Sequence, residues 1–387
     1  MRIQEEDKIK IQISPKIILN SNDNLNYFKF SSKATYFFIV LLVILLIVFS
    51  LFIKFRNNQL NIIESLNTNK RKKFFFEKLQ SLLDNDEIYE NEMMNKHTTF
   101  KLGGPAKFFI KPKSINKIVK VLKLCKEYSI EYFILGNGSN LLVSDKGYEG
   151  LIINIHESNF SDLKVEKYDE KNYKVVVGGG ILMRNLAQKL CLLSLSGLED
   201  IIDIPGTIGG GIIMNASAGG KGLIINSLDK VKVITPEGEI KELFKKDCQL
   251  RFRGSMLKDN KYIIIEATFN LIKEDKIVIQ KILADHTSQR YAHQPMYFPS
   301  AGSFFIWNKP KYGSLYEKYK ENNLVGYKVG DAMIYTYNIA FIVNLGNSKS
   351  SDVYEIVIHV ENIMKSKYNI DINREVIDLG FFDKIIS

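Results

Sequence analysis

Three glycine clusters are the parts of this 387-residue chain whose residue types and spacing most suit a ligand. They are Gly136-Asn137-Gly138-Ser139-Asn140, Gly178-Gly179-Gly180 and Pro205-Gly206-Thr207-Ile208-Gly209-Gly210-Gly211. Glycine admits positive φ and lets backbone come close to a ligand. Successive N–H groups then line a concavity that binds anions, and a diphosphate is the natural guest. Taken singly, each cluster is more readily a tight turn between strands. The first reads GxG after an apolar strand, but Leu141 stands where a dinucleotide fingerprint needs its third glycine. The following LLVSD continues as strand and opens no helix, so the fingerprint fails its structural context. No GxxxxGK[ST] phosphate loop occurs, and a dinucleotide would need another fold. The five histidines (97, 156, 286, 293, 359) show no ligand spacing, so no metal is expected. Cys125, Cys191 and Cys248 form neither a CxxC nor a disulfide framework, and a reducing, cytoplasmic compartment is the default.

The elements that must position these clusters can be read from periodicity. SINKIVKVLKLCKEYSI (114–130) is a helix, with Ser114 as N-cap and Ile115, Ile118, Val119, Leu122 and Cys125 at helical spacing. Residues 131–145 read as strand, glycine turn, strand, and 173–190 as strand, glycine turn, helix. KVKVITPEGEIKEL (230–243) is a hairpin turned at Pro236 and Gly238. A strand is predicted over 261–271, and helices near 274–291 and 351–366. Helices and strands alternate irregularly, which predicts an α+β fold and not a doubly wound sheet.

A formal charge of +10, with 45% hydrophobic and 25% charged residues, excludes a disordered chain and a multi-span membrane protein. Residues 1–33 hold six Lys/Arg and four acids, and residues 54–73 hold six Lys/Arg and one acid, so the first 73 residues carry +7 and the rest only +3. That leaves no case for nucleic-acid binding. Between the basic flanks lies ATYFFIVLLVILLIVFSLFI (34–53), without a charge. A helix of that length spans roughly 30 Å, the thickness of a bilayer's hydrocarbon core. A signal peptide would have a shorter apolar core and a small-residue cleavage site, which this run lacks. One transmembrane helix is predicted, with the basic C-terminal flank favouring a cytoplasmic catalytic region at the inner membrane. The expected organisation is an N-terminal polar segment 1–33, the membrane helix 34–53, a basic linker 54–75, and globular domains over 76–272 and 273–387.

Seven segments occur in one order: HTTFKLGGPAKFFI (97–110), FILGNGSNLLVSDKGYEGLIINI (133–155), GLEDIIDIPGTIGGGIIMNASA (197–218), RFRGS (251–255), PSAGSFFIWNKP (299–310), AFIVNLG (340–346) and REV (374–376). Together they resemble the UDP-N-acetylenolpyruvoylglucosamine reductase (MurB) family, in its shorter second type, over about 78–381. The resemblance implies a vanillyl-alcohol-oxidase-type FAD-binding fold of two lobes, with a C-terminal α+β domain over the substrate. It implies FAD and NADPH as cofactors. It also implies reduction of UDP-N-acetylenolpyruvoylglucosamine to UDP-N-acetylmuramate for peptidoglycan, by a monomer. The flavin diphosphate would lie against Gly136, Asn137, Gly138, Ser139 and Asn140, and against Pro205, Gly206, Thr207, Gly209 and Gly210. Asn215 would approach the flavin ring.

Hydride addition to the enolpyruvyl methylene carbon builds negative charge on the neighbouring carbon and its carboxylate. That step needs a cation where the charge develops and a proton donor. By the resemblance, Arg253 of RFRGS supplies the cation, Ser303 of AGSFF the proton, and Glu375 of REV assists. The chain departs from the family pattern at several places. Phe252 replaces a tyrosine, Ile306-Trp307 precede Asn308, Tyr337-Asn338 stand where a histidine is common, and NASAGG replaces NAGAYG. Two rival readings remain: another oxidoreductase of the same flavin fold, and an inactive nucleotide-sugar-binding module tethered to the membrane.

Overall fold

The computed structural model describes residues 32–155, 160–218, 221–224 and 226–381. The N-terminal polar segment, apart from Ser32 and Lys33, and His156 lie outside the described residues. The chain divides into two compact units, Met1–Thr68 and Asn69–Ser387.

In the first unit the described residues are helical, within a helix that spans Ser32–Leu82. Val40–Asn57 is long and apolar enough to cross a membrane, and its side chains are all exposed. Residues 54–75, expected as a linker, are helical too. Their polar composition suggests a loop, yet no Gly or Pro interrupts the chain between 34 and 82, so nothing in the backbone breaks the helix. Its last turns belong to the second unit, where Phe75 and Leu79 are fully buried.

Among its described residues the second unit holds three sheets of four or more strands and three two-stranded pairs. In the first, the spatial order is Ile88–Met93, Pro105–Ile110, Tyr148–Asn154, Tyr132–Leu135. Its first pair is antiparallel and the other two are parallel. The helix Ile115–Glu127 starts where predicted, with the Ser114 hydroxyl accepting from Lys117 N–H at 3.3 Å. Ile118, Val121, Leu122 and Cys125 form its buried face and pack with Phe75, Phe108, Leu151 and Ile153.

The second sheet is antiparallel, built on Asn172–Gly178, Ile263–Lys273 and the Leu228–Ile234/Ile240–Phe244 hairpin. Gly238 turns that hairpin at φ +86, and its N–H bonds Thr235 O at 2.8 Å. The helices Met183–Leu192 and Ile208–Ile213 bury Met183, Leu186, Ile208 and Ile212 against it. Ile234, Ile263 and Ile265 pack instead with the first sheet's core, so the two lobes share apolar contacts.

The third sheet runs Ser300–Ser303, Phe341–Asn344, Ala332–Ile334, Lys328–Val329. The helix Ser350–Tyr368 buries Val353, Ile356, Val357, Val360 and Met364 in the same cluster. Its N-terminus is capped from another lobe: Ser350 and Ser351 N–H donate to the two Asp145 carboxylate oxygens at 2.8 and 2.9 Å. Burial pushes that carboxyl up, but the bonds from Ser351 and Ser350 outweigh it and hold it below the usual range. The late strand Ile377–Leu379 returns to pair in parallel with Leu141–Val143. The fold is α+β, as the irregular alternation predicts.

All three cysteines are buried thiols, with burial pushing Cys125 up to about 12 and Cys248 up to about 11.

Candidate active site

The first and third glycine clusters meet face to face. Asn137 Nδ2 donates to Pro205 O at 2.8 Å. A Cβ on Gly136 would sit 2.5 Å from Thr207 Oγ1, and one on Gly206 would sit 2.8 Å from Met183 Cε. Only glycine lets these loops approach so closely. Gly138 has φ +62 and its carbonyl accepts from Thr99 N–H at 3.2 Å. Thr99 Oγ1 in turn donates to Ser300 O at 2.7 Å, so the HTTF segment joins the first glycine loop to the AGSFF strand.

The loops differ in what their amides do. Among the described residues, nothing accepts from the backbone N–H of Asn137, Gly138, Ser139 or Asn140. Four successive free donors are what a loop needs to line an anion nest. In the third cluster the N–H groups of Ile208 and Gly209 bond Ile181 O and Gly179 O at 2.9 and 2.8 Å. Gly210 N–H bonds Thr207 Oγ1 at 3.2 Å. Gly209 and Gly210 therefore serve close packing and offer no free donor. The middle cluster is structural throughout: the N–H groups of Gly178, Gly179 and Gly180 bond Asp162 O, Ile265 O and Phe160 O, each at 2.8 Å.

Arg253 lies in a tight turn closed by Arg251 N–H to Gly254 O at 3.0 Å and Gly254 N–H to Arg251 O at 3.2 Å. It has φ +55, a left-handed conformation that few arginines adopt. Two braces hold the turn. Arg251 makes a forked bond to Asp259 at 2.6 and 2.7 Å, and Asn215 Nδ2 donates to Arg251 O at 3.0 Å. Asn215 is itself buried at φ +45, and its Oδ1 has no partner among the described residues. Phe252 is 72% exposed, with its ring centroid 5.6 Å from Arg253 Cζ.

Across from this turn stands Glu375. Arg253 Nε lies 3.0 Å from Glu375 Oε1, close enough to pair but not aligned as a hydrogen bond. Burial raises the Glu375 carboxyl above its ordinary value, against the pull of Arg253 and Lys258. Lys258 is a cation that the sequence does not flag: its place three residues after Ser255, in a short capped helix, gives no signal of this partner. Glu375 N–H donates to Phe304 O at 2.9 Å, which places the AGSFF segment and Ser303 beside it. Asn140 Nδ2 donates to Glu375 O at 3.0 Å. The preceding Arg374 is forked onto Glu361 at 2.6 and 2.7 Å and also bonds Asp378. That leaves Arg253 as the guanidinium partner of Glu375.

Ser303 ends a strand bulged against Phe341–Asn344. Next to it, Gly302 has φ +82, and a Cβ there would meet open space. Gly302 thus faces a gap, whereas Gly136, Gly138, Gly178, Gly179 and Gly209 face close neighbours. The departures fill local roles. Trp307 Nε1 donates to Gly313 O at 2.9 Å, and Asn308 caps the turn Lys309–Tyr312. Asn338 Nδ2 donates to His293 O at 2.8 Å. The structure therefore gathers Arg253, Glu375, the AGSFF segment, Asn215 and the 136–140 loop into one region.

The residues fit a flavin dinucleotide on the structure's own terms. The four free amides suit its diphosphate, and the orphaned Asn215 Oδ1 suits a ring N–H. Comparison with known proteins agrees. A family model described as FAD binding domain matches residues 106–243. Another, described as UDP-N-acetylenolpyruvoylglucosamine reductase, C-terminal domain, matches residues 294–378. The UDP-N-acetylenolpyruvoylglucosamine reductase of Clostridium novyi (strain NT) is 35% identical over 319 residues, covering 82% of this chain and 98% of the relative. That of Listeria welshimeri is 34% identical over 302 residues, covering 78% and 98%. The crystal structure of MurB from Thermus caldophilus superposes with a TM-score of 0.60 at 29% identity, covering 74% of this chain and 97% of that one. Matched in both domains, and by relatives over nearly their whole length, this chain belongs to the UDP-N-acetylenolpyruvoylglucosamine reductase family.

Proposed function

We infer that this chain is an FAD-dependent reductase that uses NADPH to convert UDP-N-acetylenolpyruvoylglucosamine to UDP-N-acetylmuramate in peptidoglycan precursor synthesis. The observation that carries the reading is the approach of Glu375 to Arg253 beside the AGSFF segment, in a chain of this family.

FAD, once reduced by NADPH, supplies the hydride for the enolpyruvyl methylene carbon. The chain's residues would hold and neutralise what that addition creates. The N–H groups of residues 137–140 would hold the diphosphate, with Thr207 and Gly206 shaping the wall opposite. Arg253 would grip the substrate carboxylate; its guanidinium stays charged and can form two parallel bonds. Ser303 would give its proton to the carbon that has gained the electron pair. A serine is a weak acid, but a carbanion is a strong base. Glu375, beside Arg253 and with its carboxyl raised by burial, would assist in steadying the enolate or delivering the proton. The purified protein should be yellow and should oxidise NADPH only when the enolpyruvyl sugar nucleotide is present. A colourless protein, or NADPH oxidation indifferent to that substrate, would reject the assignment.

We also propose that the helix over 34–53, most of which lies in the apolar window Val40–Asn57, anchors the enzyme in the inner membrane, with the catalytic unit on the cytoplasmic side. The apolar, fully exposed helix and the basic residues after it support this. In detergent the full chain is expected to run as a monomer. Recovery of the chain in the soluble fraction would refute the anchor. Protection of the catalytic unit from protease in inverted vesicles would refute the orientation.

A further inference from the structure

Asn140 is the last residue of the 136–140 loop, and its side chain does not follow its neighbours. The amide Nδ2 donates 3.0 Å to the main-chain carbonyl of Glu375, a residue 235 positions away. Its own main-chain carbonyl accepts from Ile377 N–H at 3.1 Å. The two bonds straddle the strand start, and the parallel pairing Ile377↔Leu141, Asp378↔Leu142, Leu379↔Val143 follows directly. Glu375 N–H is taken by Phe304 O at 2.9 Å. Both main-chain groups of Glu375 are therefore fixed, one by the AGSFF segment and one by Asn140.

We propose that Asn140 is a positioning residue for Glu375: its side-chain amide ties the cofactor loop to the strand that carries the carboxyl. The proposal rests on the reading of Glu375 as part of the reaction site. Its physical content is geometric. The Glu375 carboxyl is raised by burial and sits 3.0 Å from a guanidinium nitrogen without hydrogen-bond alignment. A group so placed depends on its backbone for its position, and displacement by about 1 Å can cost roughly 10²-fold in rate. Asn140→Asp keeps the shape, removes the donor, and sets a negative oxygen against the Glu375 carbonyl. Asn140→Ala removes the tie without adding charge.

The test uses the full-length flavin-loaded protein and separates the two halves of turnover. Reduction of the flavin by NADPH does not call on Glu375; reoxidation by the enolpyruvyl sugar nucleotide does. Flavin content and the rate of reduction by NADPH are measured for each variant, and reoxidation per bound flavin is expected to slow by at least about 10-fold more than reduction does. The pH profile of reoxidation should shift. Equal slowing of both halves, per bound flavin, would confine the side chain's effect to the cofactor site and overturn the proposal. Wild-type rates in both halves would overturn it as well. A second readout needs no turnover. Asn140→Ala, Glu375→Gln and the double variant form a cycle. The fall with rising pH in the melting-temperature difference between proteins without and with the Glu375→Gln change should weaken in the Asn140→Ala background, where the buried carboxyl is no longer held in place, and an unchanged pH dependence refutes the tie. If the wild-type protein fails to reoxidise with the substrate, the functional reading falls, and the cycle still decides the role of Asn140.

Discussion

Arg253 holds its place at some conformational cost. A non-glycine residue at φ +55 costs on the order of 1–2 kcal/mol. The turn's two backbone bonds, the Arg251–Asp259 fork and the Asn215 amide offset it and aim the guanidinium at Glu375. A group held this way can meet developing charge without rearranging. Ser303 should matter through its proton alone. Ser303→Ala is expected to retain flavin and lose about 10²-fold or more in turnover, measured as substrate-dependent NADPH oxidation. Glu375 makes a different prediction. Because folding raises its carboxyl, the protonated form is favoured in the native state. The stability it contributes is present below the ordinary glutamate range and is lost as pH rises through the raised value. The melting temperature of wild type minus that of Glu375→Gln should therefore fall with rising pH; a difference that grows would contradict the raised carboxyl.

Among the elements, the helix Ser350–Tyr368 shows how lobes are tied by single side chains. Its first amides are satisfied by Asp145, which follows the strand Leu141–Val143. Asp145→Asn should lower stability by about 1 kcal/mol, the low end for a charged cap because the residue is exposed. Since this carboxyl is held below its ordinary range, the loss should be full at neutral pH and should fade as acid protonates the wild-type group. Denaturant melts of the two proteins across pH measure both. Helix and hairpin positions are legible in the sequence because period and caps are local properties: Ser114 and Gly238 do what their types predict. The glycine clusters are equally visible, but their roles are not. Gly179 and Gly138 both face a neighbouring carbonyl, Ile264 O and His97 O, yet the amide of one is bonded to Ile265 O and that of the other lies in a run of free amides. That difference depends on what comes near in space. The helical run through 54–75 is disguised by a polar composition that suits a loop equally well, and only the lack of any helix breaker betrays it.

At the level of the whole molecule, charge gathers around the apolar helix. The first 73 residues, which flank it on both sides, carry +7, and residues 74–387 carry only +3. Deleting residues 1–68 should move the protein to the soluble fraction and leave turnover within about 3-fold, since the reaction groups all lie in the second unit. A large loss of turnover in that deletion would show that residues 1–68 do more than the proposed anchoring. The pairing of Ile377–Leu379 with Leu141–Val143 has a consequence in time. The 136–140 loop leaves the ribosome long before Glu375, which is 235 residues later than Asn140. At ordinary rates of synthesis that delay is roughly ten seconds to most of a minute. Throughout it the apolar helix is already out and free to enter the bilayer, while the nascent enzyme lacks its last acid. With the proposed anchor, the chain would be delivered first and become competent afterwards, so each molecule would begin turnover only where it had been put.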